Sequence, residues 1–196
     1  VISAITLTLW RVRFCLYGVN LEPEEQEEVN AVMSFSSNVK QELCRLPINR
    51  KMEAAAELYG ILLYCNAFTS EFVRITTESR DLAERLPRLM KKVFGFSFDQ
   101  EPEEDTGKLL FVMESQGKIH KMFAQFGLSA ARDVTLHVNY GMLEEDEERL
   151  AFLRGAFLSG GSVTDPAKRY HLELTTSHYK AVSYTHLRAH ETGRNL

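Results

Sequence analysis

Two stretches of this chain are built to one plan. Residues 54–68, AAAELYGILLYCNAF, and residues 147–163, EERLAFLRGAFLSGGSV, each read as a helix with a glycine near its middle. Each is soon followed by a short strand carrying a double threonine, VRITTES in the first unit and LELTTSH in the second. The two glycines, Gly60 and Gly155, lie 95 residues apart. From glycine to the first threonine of the pair is 16 residues in one unit (Thr76) and 20 in the other (Thr175). Four extra residues in the DPAKR region would account for the difference. A repeat this long predicts two like halves packed about a pseudo-two-fold axis, with the glycines letting two helices approach closely. Two unrelated core helices that each contain a glycine would produce the same pattern, and spacing alone does not separate these readings.

Around the two units the hydrophobic pattern lays out an α+β chain. In MSFSSNVKQELCRLP, Ser36 or Ser37 can cap a helix whose apolar residues are Val39, Leu43 and Leu46, stopped at Pro47. Asn49 can cap the next helix, which runs to about Ala67 and is apolar around most of its circumference, as a buried helix is. EFVRITTES alternates like a strand. RDLAERLPRLMKKVFG has the helical stripe Leu82, Leu86, Leu89, Met90 and Val93, with Pro87 expected to kink or split it. FSFDQEPEEDTGKLLFVMES reads as two strands joined by an acidic loop ending at Gly107. GKIHKMFAQFGL is a short helix with Gly127 as its stop. In the second unit, acids at the helix start suit its dipole, and Leu150, Leu153 and Phe157 form the expected apolar stripe. Gly160 and Gly161 end that helix, SVTDPAKRY is a turn and HLELTTS a strand.

Composition narrows the classes of function. At 44% hydrophobic and 26% charged, the chain can bury a core. Its net charge of −4 argues against strong nucleic-acid binding by this chain alone, since Lys and Arg must neutralise phosphates. Cys15, Cys44 and Cys65 are widely spaced and odd in number, which fits a reducing compartment and gives no zinc-ribbon spacing. No apolar run reaches the ~18 residues of a membrane span. The segment 1–32 begins VISAITLTLW, strand-like, and ends in an acidic run; with Met33 a natural start, it reads as an upstream extension foreign to the fold.

Residues 33–43, MSFSSNVKQEL, and 152–174, FLRGAFLSGGSVTDPAKRYHLEL, resemble the WhiA family, bacterial regulators linked to sporulation and cell division. The resemblance covers residues 33–182 and implies a fold like a LAGLIDADG homing endonuclease, with two central helices crossing between the halves and sheets forming a saddle for DNA. In that motif an acid just before the last glycine of each helix binds divalent metal. Laid on LYGILLYCN and LRGAFLSGG, the acid positions fall on Cys65 and Gly160, neither an oxygen donor suited to Mg²⁺. The expectation is therefore a non-enzymatic domain with no metal and no cofactor, its packing glycines Gly60 and Gly155 kept. The competing reading, an active or nicking endonuclease with displaced ligands, would have to use Glu71 or Asp165.

The saddle of such a fold would offer Arg74, with Lys108, Lys118, Lys121 and the Lys91–Lys92 pair as a diffuse positive rim. The counterpart of Arg74 in the second unit is Glu173, which would repel phosphate. The resemblance implies weak DNA contact through this region, a helix-turn-helix domain elsewhere in the intact protein, possible protein partners, no membrane, and a cytoplasmic, nucleoid-associated location. The second unit is expected to be incomplete. Residues 183–196 read as a tail foreign to the fold, with His186 and His190 discounted as a metal pair. Apolar surface left uncovered around Phe157 and Leu172 would then favour self-association.

Overall fold

Helix and strand alternate where the patterning changes period. The computed structural model describes residues 35–103, 107–128, 138–165, 167 and 171–176. Helix α1 (35–45) leads into α2 (Lys51–Leu63), then strands β1 (Ala67–Phe68) and β2 (Val73–Thr77). Helix α3 (Arg80–Phe94), strand β3 (Leu109–Met113) and helix α4 (Gln116–Gln125) follow. A 3-10 turn at Tyr140–Met142 precedes α5 (Asp146–Gly160), β4 (Gly161–Val163) and β5 (Leu172–Leu174). The α+β class expected from the sequence is the class observed. The suggested extension at 1–32, Met33 and the tail at 183–196 lie outside the described residues.

The alanine-rich start of α2 favours helix, and every residue from Ala54 to Leu63 is buried. This all-round burial makes α2 the axis of the core. Its largest contact is with α5. Strands β1, β2 and β3 form an antiparallel sheet in that order, with Val73 opposite Met113 and Ile75 opposite Phe111. The inward residues Val73, Ile75, Phe111 and Met113 are all buried. The stripe of α3 closes over the core, and Ser79 caps that helix by accepting from Leu82 N–H at 3.3 Å. Strands β4 and β5 form a separate antiparallel pair.

Several local expectations are corrected. Ser36 and Ser37 lie inside α1 rather than capping it. Arg50, not Asn49, is the N-cap of α2, and that helix ends at Leu63, since Ala67 is already in a strand. Pro87 does not split α3, whose five buried apolar side chains hold the helix together across one missing N–H bond. Of the two strands expected over 96–115, β3 forms among the described residues, and the earlier segment there makes an isolated bridge, Gln100 to Val112. Ser162 and Val163, assigned to a turn, pair as β4. Leu150 and Leu153 do not form the buried stripe of α5: they are 65% and 52% exposed. The buried face of α5 is instead Ala151, Phe152, Gly155, Ala156, Phe157 and Leu158, because small residues let that side lie against α2. The uncovered apolar surface expected around Phe157 and Leu172 is present in part: Leu172 is 54% exposed, and it lines an open apolar pocket with Phe157, which is 9% exposed beneath α1 with the Lys40 ammonium 5.6 Å from its ring.

Candidate functional site at the ends of the central helices

The contacts of the helix pair follow a two-fold rule. A Cβ on Gly60 would overlap the carbonyl oxygen of Phe152 and come 2.8 Å from the nitrogen of Ala156. A Cβ on Gly155 would overlap the carbonyl oxygen of Glu57 and come 3.0 Å from the nitrogen of Ile61. Adding 95 to the first-half residue numbers turns one set of contacts into the other. The N-caps obey the same rule. Arg50 and Glu145 are 95 apart, and the Arg50 guanidinium meets the Glu145 carboxylate at 3.0 Å, holding the arginine's pKa above its ordinary value. The hairpins obey it too. Thr69 N–H bonds Phe72 C=O, enclosing residues 70–71, and Thr164 N–H bonds His171 C=O, enclosing residues 165–170. The four extra residues thus fall in the second hairpin loop, and Arg74 and Glu173 occupy matching places opposite Ala67 and Ser162.

Beneath the pair lies a buried charge cluster. The Glu57 carboxylate accepts from Arg85 Nε at 2.6 Å and Nη2 at 2.9 Å, and from Arg154 Nε at 3.0 Å and Nη2 at 2.7 Å. Arg85 also donates to the Cys44 and Leu46 carbonyls at the end of α1. The Glu57 and Arg85 side chains are each 1% exposed and Arg154 is 17% exposed. One carboxylate thereby joins α2 to α3 and α5, and α1 is drawn in through Arg85. Sequence reasoning passed over this cluster. The signal available was a glutamate on a helix otherwise apolar on every side.

The endonuclease-like resemblance implies divalent ions where the two helices end, and the residues there do not fit them. The Cys65 thiol is 3% exposed and donates to the Leu62 and Ala67 carbonyls at 3.1 and 3.3 Å. Burial pushes its pKa up to about 12, so it stays a neutral thiol rather than a thiolate ligand. At Gly160 even a Cβ would overlap the Thr175 carbonyl oxygen, with the Tyr64 ring 3.1 Å away. Among the described residues no group of three or more His, Cys, Asp or Glu could hold a metal ion. Glu71 and Asp165 sit in the hairpin loops, beyond the strands that leave the helix ends. Glu71 is exposed, and Asp165 accepts from Ala167 N–H at 2.9 Å as a turn residue.

The residues expected to contact DNA fall on several elements. Arg74 is exposed on the outer face of β2, its guanidinium 5.6 Å from the Phe72 ring, and Lys108 is exposed just before β3. Lys121 is exposed on α4, in a different layer. Lys118 is engaged: its ammonium meets Asp99 Oδ1 at 2.6 Å and the Ser97 carbonyl at 2.8 Å. Burial favours the neutral Asp99, but Lys118 and the Ser115 and Glu114 donors outweigh it and hold the pKa well below the ordinary value. Lys92 likewise donates to the Ile48 and Asn49 carbonyls at 2.7 Å. No helix among the described residues is long and apolar enough to cross a membrane.

Comparison with known proteins agrees with this geometry. Residues 149–191 match the family model for the WhiA LAGLIDADG-like domain. The probable cell division protein WhiA of Ruminiclostridium cellulolyticum is 32% identical over 154 residues, 74% of this chain and 49% of that protein. The chain belongs to the WhiA family. A WhiA of Staphylococcus aureus strain JH9, also named as a probable cell division protein, is 31% identical over 150 residues, 72% of this chain and 48% of its own length. The chain therefore spans about half the length of the curated WhiA relatives it matches. Full-length DUF199/WhiA from Thermatoga maritima superposes with a TM-score of 0.51 at 24% identity, over 71% of this chain and 44% of that one. The N-terminal LAGLIDADG domain of DUF199/WhiA superposes at 0.50 and 24% identity, over 71% and 65%. At that identity the likeness establishes the fold, a LAGLIDADG domain of the WhiA kind.

Proposed function

We propose that this chain is the catalytically silent, LAGLIDADG-type part of a DNA-associated regulator of cell division, acting in chromosome segregation and sporulation-linked transcription in the cytoplasm. The observation that carries the non-enzymatic reading is the pair of helix ends. Metal-assisted phosphodiester cleavage needs hard oxygen donors around its ions. Here those places hold a buried neutral thiol and a glycine walled by backbone. The names of the curated relatives support the cell-division role. Arg74, Lys108 and Lys121 are exposed, which supports contact with DNA, while Glu173 opposes it across the pseudo-two-fold axis. So few cations on a chain of net charge −4 support weak, sequence-independent binding, on the order of 10⁻⁴–10⁻⁶ M at physiological salt. In this reading the domain is chiefly a scaffold, and sequence reading belongs to a region outside this chain.

The test is incubation of the chain with supercoiled plasmid and Mg²⁺ or Mn²⁺, beside a fluorescence-anisotropy titration with duplex DNA. No nicked or linear product is expected, and affinity should fall steeply with salt. Metal-dependent cleavage that disappears in Glu71→Gln or Asp165→Asn would sink the reading in favour of a nuclease with displaced ligands.

A further inference from the structure

We propose that Thr175 and Thr176, where the chain leaves strand β5, serve as a fixed tie between the ends of the two central helices, and that the Thr175 backbone occupies the second metal-ligand position. Restoring the two acids would therefore not restore a metal site. The proposal deepens the non-enzymatic reading and rests on it.

The last carbonyls of a helix have no partner within it and need donors from elsewhere. The double threonine of the second unit supplies them to both helices. Thr175 N–H bonds the Gly160 carbonyl of α5 at 2.8 Å, and Thr176 Oγ1 donates to the Leu63 carbonyl of α2 at 2.8 Å. The first unit does not return the favour. Thr76 N–H goes to Asn66 Oδ1 at 2.6 Å, and Thr77 Oγ1 accepts from Ser79 N–H at 3.0 Å, both within that half. Among the described residues the bond across the halves at this end thus comes from the second unit, against the two-fold rule that the glycine contacts and N-caps follow.

The tie explains why Gly160 has no side chain. The Thr175 carbonyl that a Cβ would strike is backbone, and the same residue's N–H is bonded to Gly160, so the strand cannot retreat without releasing the helix end. An aspartate at position 65 would meet a second obstacle. The thiol's one proton now faces the Leu62 and Ala67 carbonyl oxygens, and a carboxylate there would be buried against both of them. The loss of metal chemistry therefore resides in the path of β5 as well as in two side chains.

The experiment uses the full chain and four variants: Gly160→Ala, Thr176→Val, Thr176→Ser and Cys65→Asp/Gly160→Asp. Thermal unfolding with and without Mn²⁺ and the free-Mn²⁺ electron paramagnetic resonance signal are measured. Gly160→Ala and Thr176→Val should each lower the melting temperature by at least about 5 °C, a shift of one to two kcal/mol in a chain of this size. Thr176→Ser, which keeps the donor, should recover most of its loss. The double-acid variant should show no saturable Mn²⁺ uptake, and its failure to fold would count for the proposal, because the strand leaves no room. A saturable Mn²⁺ site that raises its melting temperature, or parental melting in both Gly160→Ala and Thr176→Val, overturns the tie. DNA cleavage by the parent chain would sink the functional reading, yet would leave the tie standing if those two variants still melt early.

Discussion

Gly155→Ala isolates the helix crossing in a single methyl group. The added Cβ overlaps the Glu57 carbonyl oxygen, with the carbonyl carbon at 2.8 Å and the Ile61 nitrogen at 3.0 Å. All three atoms are backbone of α2, so no flexible side chain can swing aside. Relief requires the helices to part by on the order of 1 Å, which loosens Ile61, Phe152 and Ala156 together. Overpacking of this kind costs about 1–3 kcal/mol and sometimes more. Alanine recovers at most about 1 kcal/mol over glycine as a helix former. The overlap is with backbone that cannot swing aside, which places the cost at the upper end of that range, and the net loss should be about 2 kcal/mol. Unfolding in urea, followed by far-ultraviolet circular dichroism, measures it. Gly60→Ala should cost a similar amount, because its Cβ meets the symmetry-related atoms of α5. Gly117→Ala is the control: nothing lies within 4 Å of its Cβ, so only the helix preference acts and stability should hold or rise slightly. A Gly155→Ala chain as stable as its parent would refute the close crossing.

Glu57→Gln should cost about 3–5 kcal/mol, since it leaves two largely buried guanidiniums without their counter-charge; an unchanged urea midpoint would show that solvent reaches both arginines. Asp99 has a folded pKa depressed below its ordinary 3.8. Its contribution is present above that value and is lost as pH falls further, so Asp99→Asn should lower stability at pH 7 and flatten the dependence below about pH 4. An acid limb identical to the parent's would contradict the hydrogen-bonded cage. Burial raises the Cys44 and Cys65 thiols to about 11 and about 12, from an ordinary 9.0. The stability tied to their neutral form is present below pH 9 and is lost as pH climbs through the folded values. In a chain carrying Cys15→Ser, both thiols should resist a disulfide reagent at pH 8 and react at once in denaturant. Rapid native labelling would place them nearer the surface.

Much of the architecture was legible because it is local. The stripe Leu82, Leu86, Leu89, Met90 and Val93 recurs at helical spacing, and all five side chains are buried. Val73 and Ile75 alternate and face inward. Gly127, in a left-handed turn at φ 63°, ends the α4 segment as its position after Phe126 indicated. The repeat was legible too, down to the four residues inserted in the second hairpin. Leu150 and Leu153 failed the same reasoning: their spacing is helical, but their pseudo-symmetry mates Ala55 and Leu58 are buried while they are exposed. Periodicity says that a face is apolar; a neighbouring layer must exist to bury it.

The sequence alone determined the periods of its elements, the doubling of the glycine-centred unit and the absence of acids at Cys65 and Gly160, since each is a property of residue type and spacing. The tertiary structure alone decided which distant groups meet. It brought Glu57 to Arg85 and Arg154, took Lys118 out of the positive rim by giving it Asp99, and laid Thr175 in the space beside Gly160. Those outcomes depend on backbone paths separated by tens of residues, and contact between such segments follows from packing geometry, which no local pattern encodes.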